Sequence, residues 1–266
     1  MAKLLYEVPG VLLIFLATTC FAQGTNWCED ANVQGCWEME TSNDTEQDLS
    51  SNNEDLTDNN TVPTSSTAKG GSYSRNFNGS TEFLHHNDAG STEINGADQS
   101  ISMCAWARPD TTTSNHAIMG KARYQDNDRQ YELYIQDNTD AENVVCMLGD
   151  AATGSTSTYA ITADNTIADG NWYHLCCVYN DTDIRIYING TVCNNGADCP
   201  KAYVDGIYNS DNPFRVGAVG DAGWTGHYFD GLIDSAVIFN DELSAAEVAE
   251  IYNYGLTGGR RIFITN

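Results

Sequence analysis

Apolar side chains recur at every second position in several stretches of this chain, and this feature restricts its fold more than any other. Residues 101–108, 131–136 and 184–189 each alternate two sets of side chains in this way. Period two is the spacing of a half-buried strand, because successive side chains of a strand point to opposite faces. Residues 172–179 are apolar on both faces, as expected of a central strand. Most of the chain is therefore predicted to be β-structure.

Turn and cap signals indicate how these strands are connected and where they end. Asn189-Gly190 follows the third alternating stretch, and both residues tolerate the positive φ of a type I′ hairpin. One short helix is predicted near the C-terminus, where Ser244 and Glu247 form a capping box and Gly255 supplies the stop. The polar segment 40–76 is interpreted as a long loop inside one domain. We expect an all-β fold with one short C-terminal helix.

The first 22 residues are typical of a secretion signal. Lys3 supplies the basic start, residues 11–17 (VLLIFLA) the apolar segment, and residues 20–22 (CFA) a cleavage site. The apolar run is shorter than the stretch of about 20 residues that spans a bilayer. We therefore predict a signal peptide over residues 1–22, one domain over 25–256 and a tail over 257–266. The expected location is extracellular or at the cell surface, with no membrane span.

The cysteines support an oxidising compartment. Of nine cysteines, Cys20 lies in the predicted signal peptide, which leaves an even number for disulfides, while no C-x-x-C pair suggests zinc. Short loops favour the local pairs Cys28–Cys36 and Cys193–Cys199. Adjacent strand residues point to opposite faces, so Cys176 and Cys177 should reach different partners. Those partners are Cys104 and Cys146, and the sequence leaves open which joins which.

The net charge is strongly acidic, at −25, and only 12 residues are Lys or Arg. A nucleic-acid-binding protein needs a basic patch to neutralise phosphates, and the sequence offers none. We therefore expect no nucleic-acid partner. Acidity of this degree indicates a solvated surface, a salty environment or bound cations.

Three segments, in this order, resemble the laminin G-like family of the concanavalin A-like superfamily. They are 101–110 (ISMCAWARPD), 170–193 (GNWYHLCCVYNDTDIRIYINGTVC) and 229–255 (FDGLIDSAVIFNDELSAAEVAEIYNYG). Residues 36–38, 48–53 and 77–79 are similar to N-terminal elements of the same family, so the resemblance covers about 33–255. It implies a two-sheet antiparallel jelly-roll sandwich that binds glycans, proteins or lipids.

The resemblance also implies a structural calcium ion. It places the loop of Asp48 beside the closing strand, which carries Asp234. These two carboxylates, with Asn53 as a further ligand, are the predicted metal site, since calcium prefers carboxylate and amide oxygens. The alternative is that Asp48 makes an Asx-turn and Asp234 accepts hydrogen bonds from loop amides.

The residues that glycoside hydrolysis needs are missing from the sequence. A related branch of the superfamily uses a strand with the pattern Glu-x-Asp-x-(x)-Glu, which supplies the carboxylate pair of the reaction. The one Glu-x-Asp here, Glu46-Gln47-Asp48, has no third Glu and lies in the predicted polar loop. No G-x-S-x-G, H-E-x-x-H or P-loop motif occurs. We therefore expect a protein that is not an enzyme.

Aromatic residues outside the predicted core are candidates for ligand contacts. Trp37, Trp106 and Trp172 match strand positions of the family and are predicted to be core. Two loops could form a binding rim, and their candidate residues are Trp224, His227 and Tyr228 in one and Arg123, Tyr124 and Arg129 in the other.

Two functions are compatible with these features of the sequence. The first is a secreted, non-catalytic recognition module for a carbohydrate or a surface glycoprotein. The second is a structural or adhesive subunit of an extracellular assembly. A hydrolase relative ranks behind both, and the sequence leaves the oligomeric state open.

Overall fold

The structure is a computed structural model that describes residues 24–41, 45–87, 100–111, 114–137, 142–195, 198–221, 223 and 225–257. The predicted signal peptide lies outside the described residues, as do Trp224 and all of the predicted tail except Thr257. The domain limits 25–256 and the cleavage site therefore stay predictions.

Strands account for most of the described secondary structure. In chain order they are β1 (Val33–Trp37), β2 (Thr45–Glu46), β3 (Leu56–Asn59), β4 (Thr64–Ser65), β5 (Ser74–Asn78), β6 (Phe83–His86), β7 (Ser100–Pro109), β8 (His116–Arg123), β9 (Asp128–Asp137), β10 (Glu142–Gly149), β11 (Ser157–Ile161), β12 (Tyr173–Asn180), β13 (Asp183–Ile188), β14 (Thr191–Val192), β15 (Lys201–Ala202), β16 (Phe214–Val216), β17 (Val219–Gly220), β18 (Thr225–Gly226) and β19 (Asp230–Phe239). A 3-10 turn, Trp27–Glu29, precedes them, and one α-helix, α1 (Ala245–Tyr254), follows them in the described chain.

Two large antiparallel sheets form a sandwich, which confirms the predicted jelly-roll fold. The nine-stranded sheet has the order β14-β13-β12-β7-β19-β5-β4, with β1 added on β19 and β15 on β13. The eight-stranded sheet has the order β11-β10-β9-β8-β16-β6-β3-β2. A small hairpin, β17–β18, forms a two-stranded sheet of its own. The non-consecutive neighbours show that the chain crosses between the sheets repeatedly.

The core lies between the inner faces of the two sheets, and the period-two pattern explains its composition. On β9, Tyr131, Leu133 and Ile135 enter the main core cluster, whereas Tyr134 belongs to a separate cluster on the outer face. Trp37 and Trp106 are buried, as predicted. Trp172 is partly exposed, so the prediction that it belongs to the core is wrong. It precedes the first residue of β12.

The turn and cap signals are confirmed. Asn189 and Gly190 both have positive φ, at 51° and 76°, and join β13 to β14. The Ser244 side chain accepts from the Glu247 amide while the Glu247 side chain accepts from the Ser244 amide, and Gly255 follows the helix with φ 78°. The helix places Val248 and Ile251 on the outer face of the nine-stranded sheet, where they pack with Val237 and Phe239.

The polar segment 40–76 is more regular than the predicted long loop. It contains the short strands β2, β3 and β4 and the start of β5. Arg75 of β5 is fully buried and pairs with Asp58 at 2.6 Å and Glu46 at 3.7 Å. Burial raises the pKa of Glu46 to about 7, against the lowering effect of the Arg75 charge. Polar composition concealed these strands because they are short and few of their side chains, such as Leu56, enter the apolar core.

Four disulfides join the described strands and loops. The two local pairs are Cys28–Cys36 and Cys193–Cys199, as predicted. Cys176 of β12 lies opposite Cys104 of β7 and is bonded to it beneath α1. Cys177 points into the core and is bonded to Cys146 of β10, which links the two sheets. The register of β7 and β12 therefore decides the pairing that the sequence left open.

Candidate functional site

The outer face of the eight-stranded sheet carries a cluster of aromatic and polar side chains. Because core residues alternate along β9, Glu132, Tyr134 and Gln136 all project from the opposite face. Tyr134 packs there with Ala117, Ala122, Val145, Met147 and Val219, and with the partly buried Tyr124, Tyr159 and Ile161. A face of this composition, turned away from the core, is a candidate for ligand contacts.

A cavity of about 400 Å³ opens in this cluster. Strands β9 and β11 supply its floor, and the residue before β8 and the turns after β8 and β18 supply its sides. The lining residues are Asn115, Tyr124, Tyr134, Gln136, Tyr159, Ile161 and His227. Three tyrosine rings with a few amide and imidazole groups match the usual make-up of ligand pockets, which are apolar with few polar groups.

A buried carboxylate organises the cavity. Glu132 has no solvent-exposed surface, and the Tyr124 hydroxyl donates to its Oε2 at 2.6 Å. His227 Nδ1 lies 2.7 Å from its Oε1. The His227 ring centroid is 4.8 Å from that of Tyr124 and 5.5 Å from that of Tyr134. One carboxylate thereby positions two of the rings that line the cavity.

The charge of Glu132 raises the pKa values of both His227 and Tyr124. Burial lowers the pKa of His227, but the charge and the hydrogen bond of Glu132 outweigh burial, and the pKa is raised overall. Burial, followed by the Glu132 charge, raises the pKa of the Tyr124 hydroxyl, which stays protonated and able to donate. The His227 backbone has φ 53°, a left-handed conformation that is uncommon outside glycine and clusters at ligand sites.

The turn after β8 is held over the cavity by basic side chains. The Arg129 guanidinium lies 5.1 Å from the Tyr124 ring centroid, within the range of a cation–π contact. Arg123 pairs with Asp126 at 2.5 Å and with Asp221, at the end of β17. These contacts tie the Tyr124 turn to the β17–β18 hairpin.

Four of the six predicted ligand residues therefore surround one cavity: Tyr124 and His227 line it, and Arg123 and Arg129 hold its rim. Tyr228 is not among the described lining residues, since its ring lies 6.5 Å from that of Phe83, on the side of a second cavity. Trp224 lies outside the described residues.

The sequence reasoning missed Glu132, Tyr134, Gln136, Tyr159 and Asn115 as site residues. For Glu132, Tyr134 and Gln136 a signal was present, because they are the outward-facing members of an alternating stretch. Tyr159 and Asn115 had no such signal, since they reach the cavity only through the pairing of β10 with β11 and the start of β8.

The predicted calcium ligands have protein partners. The Asp48 carboxylate accepts from the amides of Cys36, Ser50 and Glu54 and from the Ser50 hydroxyl, at 2.6–2.9 Å. Asp234 accepts from the amides of Lys69 and Gly70 at 2.6 and 2.8 Å. The exposed Asn53 amide donates to the Ser51 carbonyl at 3.0 Å. Calcium binding by these residues stays a prediction, and the contacts fit the alternative in which both carboxylates hold loop amides.

A two-sheet jelly roll with an aromatic cavity on one outer face belongs to the class of lectin-like sandwich domains. The family model Laminin G 3, described as the concanavalin A-like lectin/glucanases superfamily, matches residues 79–249. The chain belongs to this superfamily, as its sequence motifs predicted. No curated protein sequence matches the chain.

Solved structures with the same fold are mostly binding domains. The receptor-binding domain of botulinum neurotoxin C/D mosaic serotype is 14% identical, with a TM-score of 0.60 over 86% of this chain and 55% of that one. The binding domain of Paraclostridial Mosquitocidal Protein 1 is 19% identical, with a TM-score of 0.61 over 84% of this chain and 52% of that one. This chain thus spans about half the length of those toxin domains.

Another similar structure is matched over its whole length. Domain 4 of AbnA, a GH43 extracellular arabinanase from Geobacillus stearothermophilus solved with arabinotriose, is 18% identical, with a TM-score of 0.59. The match covers 84% of this chain and 100% of that domain. At these identities the likeness concerns the fold. Within the described residues, no helix has the length and apolar character needed to cross a bilayer.

Proposed function

We propose that this protein is an extracellular, non-catalytic module that binds carbohydrate in the cavity lined by Tyr124, Tyr134, Tyr159 and His227. The observation that carries the proposal is the cavity itself, where tyrosine rings stand beside hydrogen-bonding groups of Asn115 and Gln136. Rings of this kind offer apolar faces to sugar rings, and the amides and imidazole can meet hydroxyl groups.

Two further observations support the location and the class of ligand. Four disulfides favour an oxidising, extracellular compartment. Similar folds include the AbnA domain solved with arabinotriose and a botulinum neurotoxin DC binding domain solved with SialylT, the latter 14% identical with a TM-score of 0.63.

The non-catalytic part of the proposal rests on the carboxylates. Hydrolysis of a glycosidic bond requires two, about 5–5.5 Å apart for retention and about 6.5–9.5 Å apart for inversion. Glu132 lies beneath the cavity with both oxygens engaged, and none of the described lining residues is an acid. Glu132 is therefore assigned a positioning role.

A glycan array followed by calorimetry tests the proposal. The wild-type protein should bind a subset of oligosaccharides, and Tyr159→Ala should weaken that binding by about tenfold, the loss of about 1.4 kcal/mol typical of a ring at the centre of a contact. Tyr73→Ala is the matched control, because Tyr73 is 42% exposed and does not line the cavity.

Three outcomes would contradict the proposal. Absence of binding to every glycan of a broad array would remove the function. Equal affinity of wild type and Tyr159→Ala would place the site elsewhere. Release of reducing sugar that Glu132→Gln abolishes would make the protein an enzyme.

A further inference from the structure

A second cavity, of about 530 Å³, opens on the outer face of the same sheet. The residues that line it include Phe83, His85, Arg215, Asp221 and Thr225. The β17–β18 hairpin separates it from the tyrosine cavity, since Val219 packs against Ala117 and Tyr134 while Asp221 and Thr225 line the second cavity. Two cavities thus flank one hairpin on one face.

Arg215 of β16 is the unusual residue of this second cavity. It is only 4% exposed, its Nη1 donates to the Thr225 hydroxyl at 2.7 Å, and its guanidinium lies 4.1 Å from the Phe83 ring centroid. Its Nε is buried without an acceptor among the described residues. The Nε atoms of Arg75, Arg123 and Arg129 are buried in the same way. Arg75, Arg108, Arg123 and Arg185 each pair with a carboxylate, whereas Arg215, like Arg129, forms no such pair among the described residues.

A buried cation that has no carboxylate within ion-pair distance among the described residues is costly. Burial lowers the pKa of Arg215 to about 10, against the raising effects of Tyr228 and Asp221. Moving a charge out of water costs free energy, which a charged or hydrogen-bonding partner offsets. The chain has 37 acidic residues that could act as such a partner. Perturbed groups in a cleft of this kind mark sites where a ligand supplies the missing partner.

The other titratable groups that line this cavity are His85 and Asp221. His85 Nδ1 is buried and also lacks a partner among the described residues. Burial, followed by the Arg215 charge, lowers the pKa of His85 against the raising effect of a hydrogen bond with the Thr57 backbone, so the ring is neutral. Asp221 lines the cavity too, and its charge raises the pKa of Arg215. Its carboxylate is bonded to the Arg123 guanidinium, which Asp126 also contacts, and it forms no ion pair with Arg215 among the described residues.

We propose that this cavity binds the anionic substituent, a carboxylate or a sulfate, of an acidic sugar, with Arg215 and His85 as its contacts. The planar guanidinium has N–H groups in the arrangement that carboxylate and sulfate oxygens accept. The inference rests on the proposed carbohydrate function and narrows its ligand class: the tyrosine cavity takes a sugar ring, and the cavity across the hairpin takes the charge.

Matched pairs of ligands test the inference by calorimetry. Trigalacturonate is compared with its methyl ester, and a sulfated oligosaccharide with its desulfated counterpart. Wild type should prefer the charged member of at least one pair by about tenfold. Arg215→Met should lose that preference and keep its affinity for the uncharged member. Its melting temperature should be unchanged or higher, because the substitution removes an unpaired buried charge. Arg185→Met, on the other sheet, is the control and should keep the preference.

A direct measurement separates this inference from the proposed function. The Arg215 Nε–H resonance should shift saturably when glucuronate or sodium sulfate is added to the wild-type protein, whether or not longer glycans bind. Absence of such a shift with both anions at millimolar concentrations overturns the inference. Equal affinity for both members of each pair also overturns it, while leaving the tyrosine cavity as a neutral sugar site. If the wild-type protein binds the anions but no neutral sugar, the proposed function is contradicted and this inference is not.

Discussion

At the scale of single residues, Glu132 and His227 show how a buried charge shapes a surface cavity. A carboxylate without access to water needs donors from the protein, and Glu132 obtains them from Tyr124 and His227. Because both donors also line the cavity, satisfying the carboxylate fixes the position of their rings. A substitution of Glu132 would therefore change the cavity without removing any lining side chain.

The Glu132–His227 pair predicts a pH dependence of stability. The His227 pKa is raised by folding from about 6.5, and each unit of such a rise is worth about 1.4 kcal/mol. The sign follows from the raised value. The stabilisation is complete below about pH 6.5 and is lost as the pH rises through the folded pKa. The free energy of unfolding of wild type minus that of His227→Gln should thus shrink between mildly acidic and alkaline pH.

Urea unfolding at a series of pH values measures this difference, and an NMR titration of His227 measures the pKa directly. Glu132→Gln is the control, since removal of its charge leaves burial to lower the histidine pKa. Parallel stability curves for wild type and His227→Gln would contradict the prediction.

At the scale of elements, two adjacent cysteines make β12 the point where the sandwich is joined in two directions. Cys177 crosses the core to β10 of the eight-stranded sheet, and Cys176 is bonded sideways to β7 under the helix. Alternation along one strand is enough to send neighbouring side chains to different layers. The disulfides therefore follow the sheet geometry, and their contributions to stability should follow the length of chain that each encloses.

Each disulfide can be removed by replacing both of its cysteines. The loss in the free energy of unfolding should be larger for the disulfide whose cysteines are farther apart in the sequence. Cys104 and Cys176 are 72 residues apart, and Cys28 and Cys36 are 8 apart. Loop-closure entropy predicts that Cys104→Ala/Cys176→Ala lowers the free energy of unfolding by about 2 kcal/mol more than Cys28→Ala/Cys36→Ala. Denaturant unfolding of the two double variants measures the difference. A larger loss from the short loop would show that packing around each bridge, rather than chain entropy, sets its contribution.

At the scale of the whole molecule, the net charge of −25 acts on every element. Acidic side chains repel one another in the folded chain, and the repulsion reaches across the domain when little salt is present. The negative charges of Asp48 and Asp234 are stabilised locally, because backbone amides donate hydrogen bonds to their carboxylate oxygens. Screening by salt and binding of calcium are therefore separate effects on stability.

The melting temperature should rise when NaCl is increased from about 10 mM to about 150 mM, as the screening length falls from about 30 Å to about 8 Å. A gain of about 1 kcal/mol corresponds to about 2–4 °C in a domain of this size. Calorimetry at constant pH measures it, and an unchanged melting temperature would mean that repulsion is already balanced in the fold.

Calcium is tested against magnesium at equal ionic strength, which removes the screening effect. A calcium-specific rise that Asp48→Asn and Asp234→Asn abolish would support the predicted metal site. Equal losses of about 1–3 kcal/mol in calcium and in chelator, the cost of unsatisfied amides, would assign both carboxylates to the loops instead.

The strands, hairpin, capped helix and superfamily were predictable from the sequence, because each depends on residues close together in the chain. Tyr124 and His227 were predicted as ligand contacts from their Arg- or Gly-containing loops, and both line the tyrosine cavity, although their role in binding stays a prediction. Glu132 was not, since an acidic residue on an alternating strand has the same pattern whether it faces solvent or lies beneath a cavity. The strands within 40–76 were missed because they are two to four residues long, too short to show apolar periodicity, and their polar side chains include the Arg75 partners Glu46 and Asp58.

By itself, the sequence determined that β-strands would dominate, that neighbouring cysteines would face opposite ways, and that one helix would begin at Ser244. The tertiary structure alone decided that Cys177 bonds to Cys146, that His227 meets Glu132 from 95 positions away, and that the Arg215 Nε is buried without an acceptor among the described residues. Local patterns are governed by the backbone geometry of a few successive residues. Contacts between distant residues are governed by the order and register of strands across a sheet, which is a property of the folded whole.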